Sequence, residues 1–146
     1  MSMLSKPDAG WSVFSIGTRS YSLSYLADIP ETWVKHAICG LETHAPFVVY
    51  GECESIAAIY CVVDSCMCTI YRMDNNDEAP YSAYGFGTLD FCKALYECIS
   101  KDIDDWACWN GPGEATGPLV PGEAQEKARL QELLARLRSL IETFEE

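Results

Sequence analysis

Bulky and small polar residues alternate along Trp11-Ser12-Val13-Phe14-Ser15-Ile16 and again along Tyr21-Ser22-Leu23-Ser24-Tyr25-Leu26, with Gly17-Thr18-Arg19-Ser20 between them. A period of two places successive side chains on opposite faces, so the stretch predicts a hairpin with one buried face per strand. The period then changes. Trp33, Val34, Ala37, Ile38 and Leu41 fall on one stripe at helical spacing, behind Asp28-Ile29-Pro30-Glu31. Pro at the first helical position and an acid near the positive end of the dipole mark a start. Gly40 marks the expected end.

The centre of the chain reads as strand. Phe47 to Tyr50, Ile56 to Val63 and Cys66 to Arg72 are rich in β-branched and aromatic residues, punctuated by Gly51-Glu52-Cys53-Glu54 and Asp64-Ser65. Strands this close in sequence must run antiparallel, because a parallel crossover needs a dozen or more residues. A two-residue Asp64-Ser65 turn would set Val63 opposite Cys66; a longer loop would shift that register. Asp74 to Pro80 is a polar loop, and Tyr81 to Gly87 reads as a short edge strand.

Thr88 is the expected N-cap of a second helix, whose stripe is Cys92, Leu95, Ile99, Ile103 and Trp106. Asp102, Asp104 and Asp105 then fall near its C-terminal end, where acids oppose the dipole. Asn110 to Gly122 is a Gly/Pro linker. Glu123 to Phe144 follows as an amphipathic helix, with Leu130, Leu134, Leu137, Ile141 and Phe144 alternating spacings of four and three. The fold class is therefore α+β. An antiparallel meander of about five or six strands packs against two helices, and a long C-terminal amphipathic helix follows. The organisation is a core over residues 1–109, a linker over 110–122 and a helix over 123–146. That last helix docks on the core or self-associates as a homodimer through Leu130, Leu134, Leu137 and Ile141.

Charge narrows the partners. The 146 residues carry 10 Lys and Arg against 22 Asp and Glu, a net charge of −12. More than half of the excess lies between Asp74 and Glu114, which hold nine acids and two bases. Such a surface repels nucleic acid and anionic lipid and favours a basic protein. Met1 to Asp8 lacks the apolar run of a signal peptide, and no stretch approaches the roughly 20 apolar residues of a membrane span. The expectation is a cytoplasmic chain whose eight cysteines are thiols.

Candidate chemistry is thin. In the two-residue-turn register, Cys61, Cys66 and Cys68 share a face and Cys92 could add a fourth sulfur for tetrahedral zinc. No Cys-x-x-Cys pair is present, and Ile59, Val63 and Ile70 share that face, so core thiols are the better reading. His36 and His44 are the two histidines, and His44 with Cys53 is a conceivable nucleophile pair without a flanking signature. Neither acidic cluster matches a calcium loop, and Tyr84-Gly85-Phe86-Gly87-Thr88 lacks the Lys of a phosphate loop. No cofactor is implied.

What remains is a non-enzymatic, acidic protein-interaction domain. Immunity and antitoxin proteins and phage-encoded inhibitors share this profile of a small, acidic, motif-free chain. The expected contacts are Asp74, Asp77, Glu78, Asp102, Asp104, Asp105, Trp106 and Trp109, aromatic anchors beside a charged rim. The competing classes are a small enzyme or ligand-binding domain with a Cys/His site, and a homo-oligomeric structural or regulatory component.

Overall fold

A computed structural model of the chain describes residues 3–53, 58–73, 81–109 and 121–145. Among them the fold is α+β, with the strands split between two antiparallel sheets. The alternating N-terminal stretch forms the hairpin β1 (Trp11–Ile16) and β2 (Arg19–Ser24), paired from Trp11 opposite Ser24 to Ile16 opposite Arg19. Residues 3–5 run beside β1, with the Ser15 N–H donating to the Met3 carbonyl at 2.8 Å and the Ser5 N–H to that of Val13 at 3.0 Å. The second sheet is the meander β3 (Phe47–Glu52), β4 (Ala58–Val63), β5 (Cys68–Met73) and β6 (Tyr81–Tyr84). Among the described residues, an isolated bridge between Leu23 and Cys53 joins the hairpin to it. The expected six antiparallel strands are thus present, divided between two sheets.

The connection between β4 and β5 is longer than two residues. Asp64 to Met67 form a four-residue loop, closed by the Asp64 N–H donating to the Met67 carbonyl at 2.9 Å. The Asp64 carboxylate accepts from the backbone N–H groups of Cys66 and Met67, each at 2.9 Å. Asp side chains cap turns in this way because they reach the backbone two residues on. The loop sets Val63 opposite Cys68 and Cys61 opposite Ile70, a slip of two residues from the expected pairing. A two-residue slip preserves the faces, so Ile59, Cys61, Val63, Cys68 and Ile70 all remain buried.

That buried face receives the helices. α1 (Pro30–Thr43) and α2 (Thr88–Lys101) flank an aromatic cluster in which Trp33 meets Phe14 edge-on at 5.4 Å and Phe91 meets Phe47 edge-on at 5.6 Å. The Trp33 indole N–H donates to the Tyr50 carbonyl at 2.9 Å, tying α1 to β3. Gly40 does not end α1, which runs on to Thr43. Its missing side chain instead admits the Phe47 ring, which a Cβ would strike. Gly87 plays a similar part against the Ser65 carbonyl, so the β4–β5 loop sits directly on the start of α2. Gly87 rather than Thr88 is the N-cap residue. The Asp64 carbonyl accepts from the Thr88 N–H at 2.8 Å.

After α2 comes a short helix, α3 (Ile103–Ala107), and then α4 (Pro121–Glu145), which packs across α1, α2 and α3. Leu130, Leu134, Leu137 and Ile141 are buried in the chain's own core. Docking onto three helices covers the face that an isolated helix would need covered, the same four residues expected to line a homodimer. Exposed ion pairs decorate the contact, Arg136 with Glu42 at 3.0 Å and Lys127 with Asp104 at 2.8 Å. Pairs of this kind contribute at most about 1 kcal/mol each.

The Asp64 loop is the part of the fold most open to test. Asp64→Ala removes two hydrogen bonds to a carboxylate and should cost about 1–2 kcal/mol in urea unfolding, with Asp64→Asn recovering part of it through its carboxamide oxygen. Equal stability of all three proteins would show that the loop does not hold the register.

Candidate functional site

The acidic cluster occupies a different structural setting from the expected one. α2 ends at Lys101, and Asp104 and Asp105 lie in the first turn of α3. Acids there complement the dipole rather than oppose it, so the cluster no longer works against the fold. Asp104 pairs with Lys127, and Asp105 lies 3.9 Å from the Lys6 ammonium. Asp102 is half-buried at the junction of the two helices. Trp106 and Trp109 are not surface anchors. Both are buried, with ring centroids 5.1 Å apart, and the Trp109 indole N–H donates to the Ala27 carbonyl at 2.8 Å. Large rings close to the end of a chain segment signal core as readily as contact surface, and here burial decides for core. Asp74, Asp77 and Glu78 lie outside the described residues.

The cysteines are separated in the same way. Cys66 sits in the exposed Asp64–Met67 loop, while Cys61, Cys68 and Cys92 are buried. Among the described residues no group of three His, Cys, Asp or Glu side chains is placed to hold a metal ion. The zinc reading required the short turn. With the longer loop, Cys66 leaves the face it would have shared. A hydrogen bond with Cys68 and burial push the Cys61 thiol up, and burial pushes that of Cys92 up to about 12. Thiols held protonated in this way are poor nucleophiles. His36 Nδ1 lies 2.7 Å from the Val48 carbonyl, against the edge of β3. His44 caps α1 with a left-handed backbone, its ring stacked on Phe144 at 5.4 Å. Cys53 lies beyond the opposite end of β3, across about 20 Å of strand, so His44 and Cys53 do not meet.

A recess of about 490 Å³ opens between the hairpin turn, β6 and α2, lined by Met3, Ile16, Tyr84, Phe86 and neighbours. Among the described residues its polar side chains are Ser15 and Tyr84, and none that line it is a histidine, cysteine or carboxylate. Nothing in it pairs a nucleophile with a base.

The distinctive surface is the other side of the meander. Positions that alternate away from the helices are Val48, Tyr50 and Glu52 on β3, Ala58, Tyr60 and Val62 on β4, Thr69, Tyr71 and Met73 on β5, and Tyr81 and Ala83 on β6; of these Ala58 is buried. The register sets Tyr50 opposite Tyr60, Tyr60 opposite Tyr71 and Tyr71 opposite Tyr81. Four tyrosines therefore form one row across four strands. The exposures of Tyr60, Tyr71 and Tyr81 are 40%, 43% and 61%, and Val48 and Met73 stand exposed beside them. Ring centroids are 4.9 Å apart for Tyr50 and Tyr60 and 6.0 Å for Tyr71 and Tyr81. The Tyr50 hydroxyl donates to Glu52 Oε1 at 2.9 Å; burial and that carboxylate push the hydroxyl up to about 12 and keep it protonated.

Sequence reasoning placed Tyr71 and Tyr81 in strands and missed the row. With Val63 opposite Cys66, Tyr60 would have faced Thr69, and no line of rings would form. The alternation in each strand carried the signal, but the loop length needed to align the strands did not. No family model, curated protein or solved structure matches the chain.

Thiol chemistry separates this arrangement from a reactive-cysteine site. Under native, mildly alkaline conditions, iodoacetamide should modify exposed Cys39 and Cys66 first and Cys61, Cys68 and Cys92 last, as read by peptide mass spectrometry. Early modification of Cys61 or Cys92 would return a redox or nucleophilic role to the buried thiols.

Proposed function

We propose that the chain is a non-enzymatic, acidic protein-interaction domain whose partner is a basic protein, in the manner of an inhibitor, immunity protein or antitoxin. The observation that supports this reading best is the exposed tyrosine row. Tyr brings large contact area at low entropic cost and is enriched at the centres of protein interfaces. A sheet face built for solvent alone carries polar residues at these positions. Asp74, Asp77 and Glu78 follow Met73 in the sequence, and the whole chain carries −12. Long-range charge of this size steers encounter with a basic surface, and contact residues then decide residence.

Two competing classes lose their supports. The homo-oligomer was to use the C-terminal apolar stripe, which is buried at home. The Cys/His enzyme was to use groups that lie apart. Among the described residues no helix is long and apolar enough to cross a membrane.

Capture from a lysate of the native host, at low and at high salt, tests the reading. The expected result is one stoichiometric basic protein, retained at low salt, weakened at high salt and rebinding when both proteins are purified. An acidic partner, or the same empty capture at both salts, would contradict it.

A further inference from the structure

The outer face of the meander has a charge pattern as distinct as its aromatic one. Among its described strand positions, the one acidic or basic residue is Glu52, at the β3 end of the row. No Lys or Arg alternates onto this side. Arg72 lies on the opposite side, in register with buried Ile59. A face of tyrosine rings with an acid at one end and no cation of its own is complementary to a cation brought by a partner.

The rings also divide. Tyr50 with Tyr60 and Tyr71 with Tyr81 are each in ring contact. Tyr60 and Tyr71, although opposite in register, make none. The row is thus two ring pairs with a break at the centre of the sheet. Crossing four strands, it spans about 14 Å, the length of roughly four residues of an extended segment.

Resting on the interaction-domain reading above, we propose that the row is the partner-binding face and that its occupant is an extended, arginine-bearing segment of the basic protein. A guanidinium enters between Tyr60 and Tyr71, and neighbouring cationic groups lie toward Glu52. Arginine fits this site better than lysine. Its planar cation is weakly hydrated and stacks on aromatic faces, whereas an ammonium keeps its water. The hydroxyls of the row accept hydrogen bonds from the guanidinium edge.

The test uses the full chain and two short labelled peptides, one alternating Gly and Arg and its Gly-Lys twin of equal length and charge. Fluorescence anisotropy should show the arginine peptide binding several-fold more tightly. The double variant Tyr60→Leu/Tyr71→Leu, checked for an unchanged fold by circular dichroism, should lose about tenfold for the arginine peptide and little for the lysine peptide. The Tyr60→Phe/Tyr71→Phe protein keeps both rings and should retain most of the affinity. Because it preserves shape and packing, it also serves if the leucine variant unfolds: loss of arginine preference in a folded Phe pair would overturn the ring-stacking site.

Other outcomes discriminate. Equal binding of both peptides, lost instead on Asp102→Asn/Asp104→Asn/Asp105→Asn, overturns the tyrosine site and leaves the acidic interaction domain standing on another face. Failure of both peptides to bind, while a basic partner is still captured from lysate, overturns the arginine-segment proposal alone. A wild-type dimer that the leucine pair converts to monomer overturns it in favour of a second copy of this chain.

Discussion

Asp64 lies where three parts of the molecule meet, and its hydrogen bonds hold them in alignment. Its carboxylate collects the N–H groups of Cys66 and Met67, its own N–H closes the loop onto Met67, and its carbonyl receives the first N–H of α2. Four residues in the loop rather than two set Val63 opposite Cys68. Every cross-strand neighbour between β4 and β5 follows from that pairing. On the buried side it keeps Ile59, Cys61, Val63, Cys68 and Ile70 together; on the open side it brings Tyr60 in line with Tyr71. The buried face would survive a two-residue slip, whereas the alignment of rings on the open side depends on the length of this turn.

The two faces of the meander are made different by what covers them. α1 and α2 close the inner face around Phe14, Trp33, Phe47 and Phe91, a cluster whose edge-on ring contacts suit aromatic quadrupoles. α4 then closes the outer side of those helices with Leu130, Leu134, Leu137 and Ile141. After these burials, half of the large apolar groups left exposed among the described residues lie on the outer strand face, as Val48, Tyr60, Tyr71, Met73 and Tyr81; the others are Trp11 and Val13 on the hairpin, Tyr25 and Leu26 at its exit and Met67 in the β4–β5 loop. An acidic chain that has buried its amphipathic helix yet exposes a row of rings has a surface disposed toward a partner.

The elements were legible in the sequence where local chemistry dictates them. Alternation revealed the hairpin and the central strands, and the four-and-three spacing of leucines revealed α4 and its buried stripe. What escaped was long-range. Gly40 resembles a terminator locally, but the ring that requires it, Phe47, lies on a strand beyond the helix. Asp102 to Asp105 resemble the end of one helix because the break after Lys101 has no Pro or Gly to announce it. Trp106 and Trp109 resemble surface anchors beside acids until Ala27, far away in sequence, is seen to accept from Trp109. The tyrosine row depended on a loop length that Asp64-Ser65 alone did not reveal. Cys66 misled for the same reason, since its face was assigned from a turn that is not formed.

The most direct measurement is covalent footprinting of tyrosine and carboxylate side chains, made on the chain alone and in complex with its captured partner. The account predicts strong protection of Tyr60, Tyr71 and Tyr81, with Asp102, Asp104 and the exposed residues of α4 modified equally in both states. Protection confined to α3 and α4, with the tyrosine row as reactive in the complex as in the free chain, would contradict it.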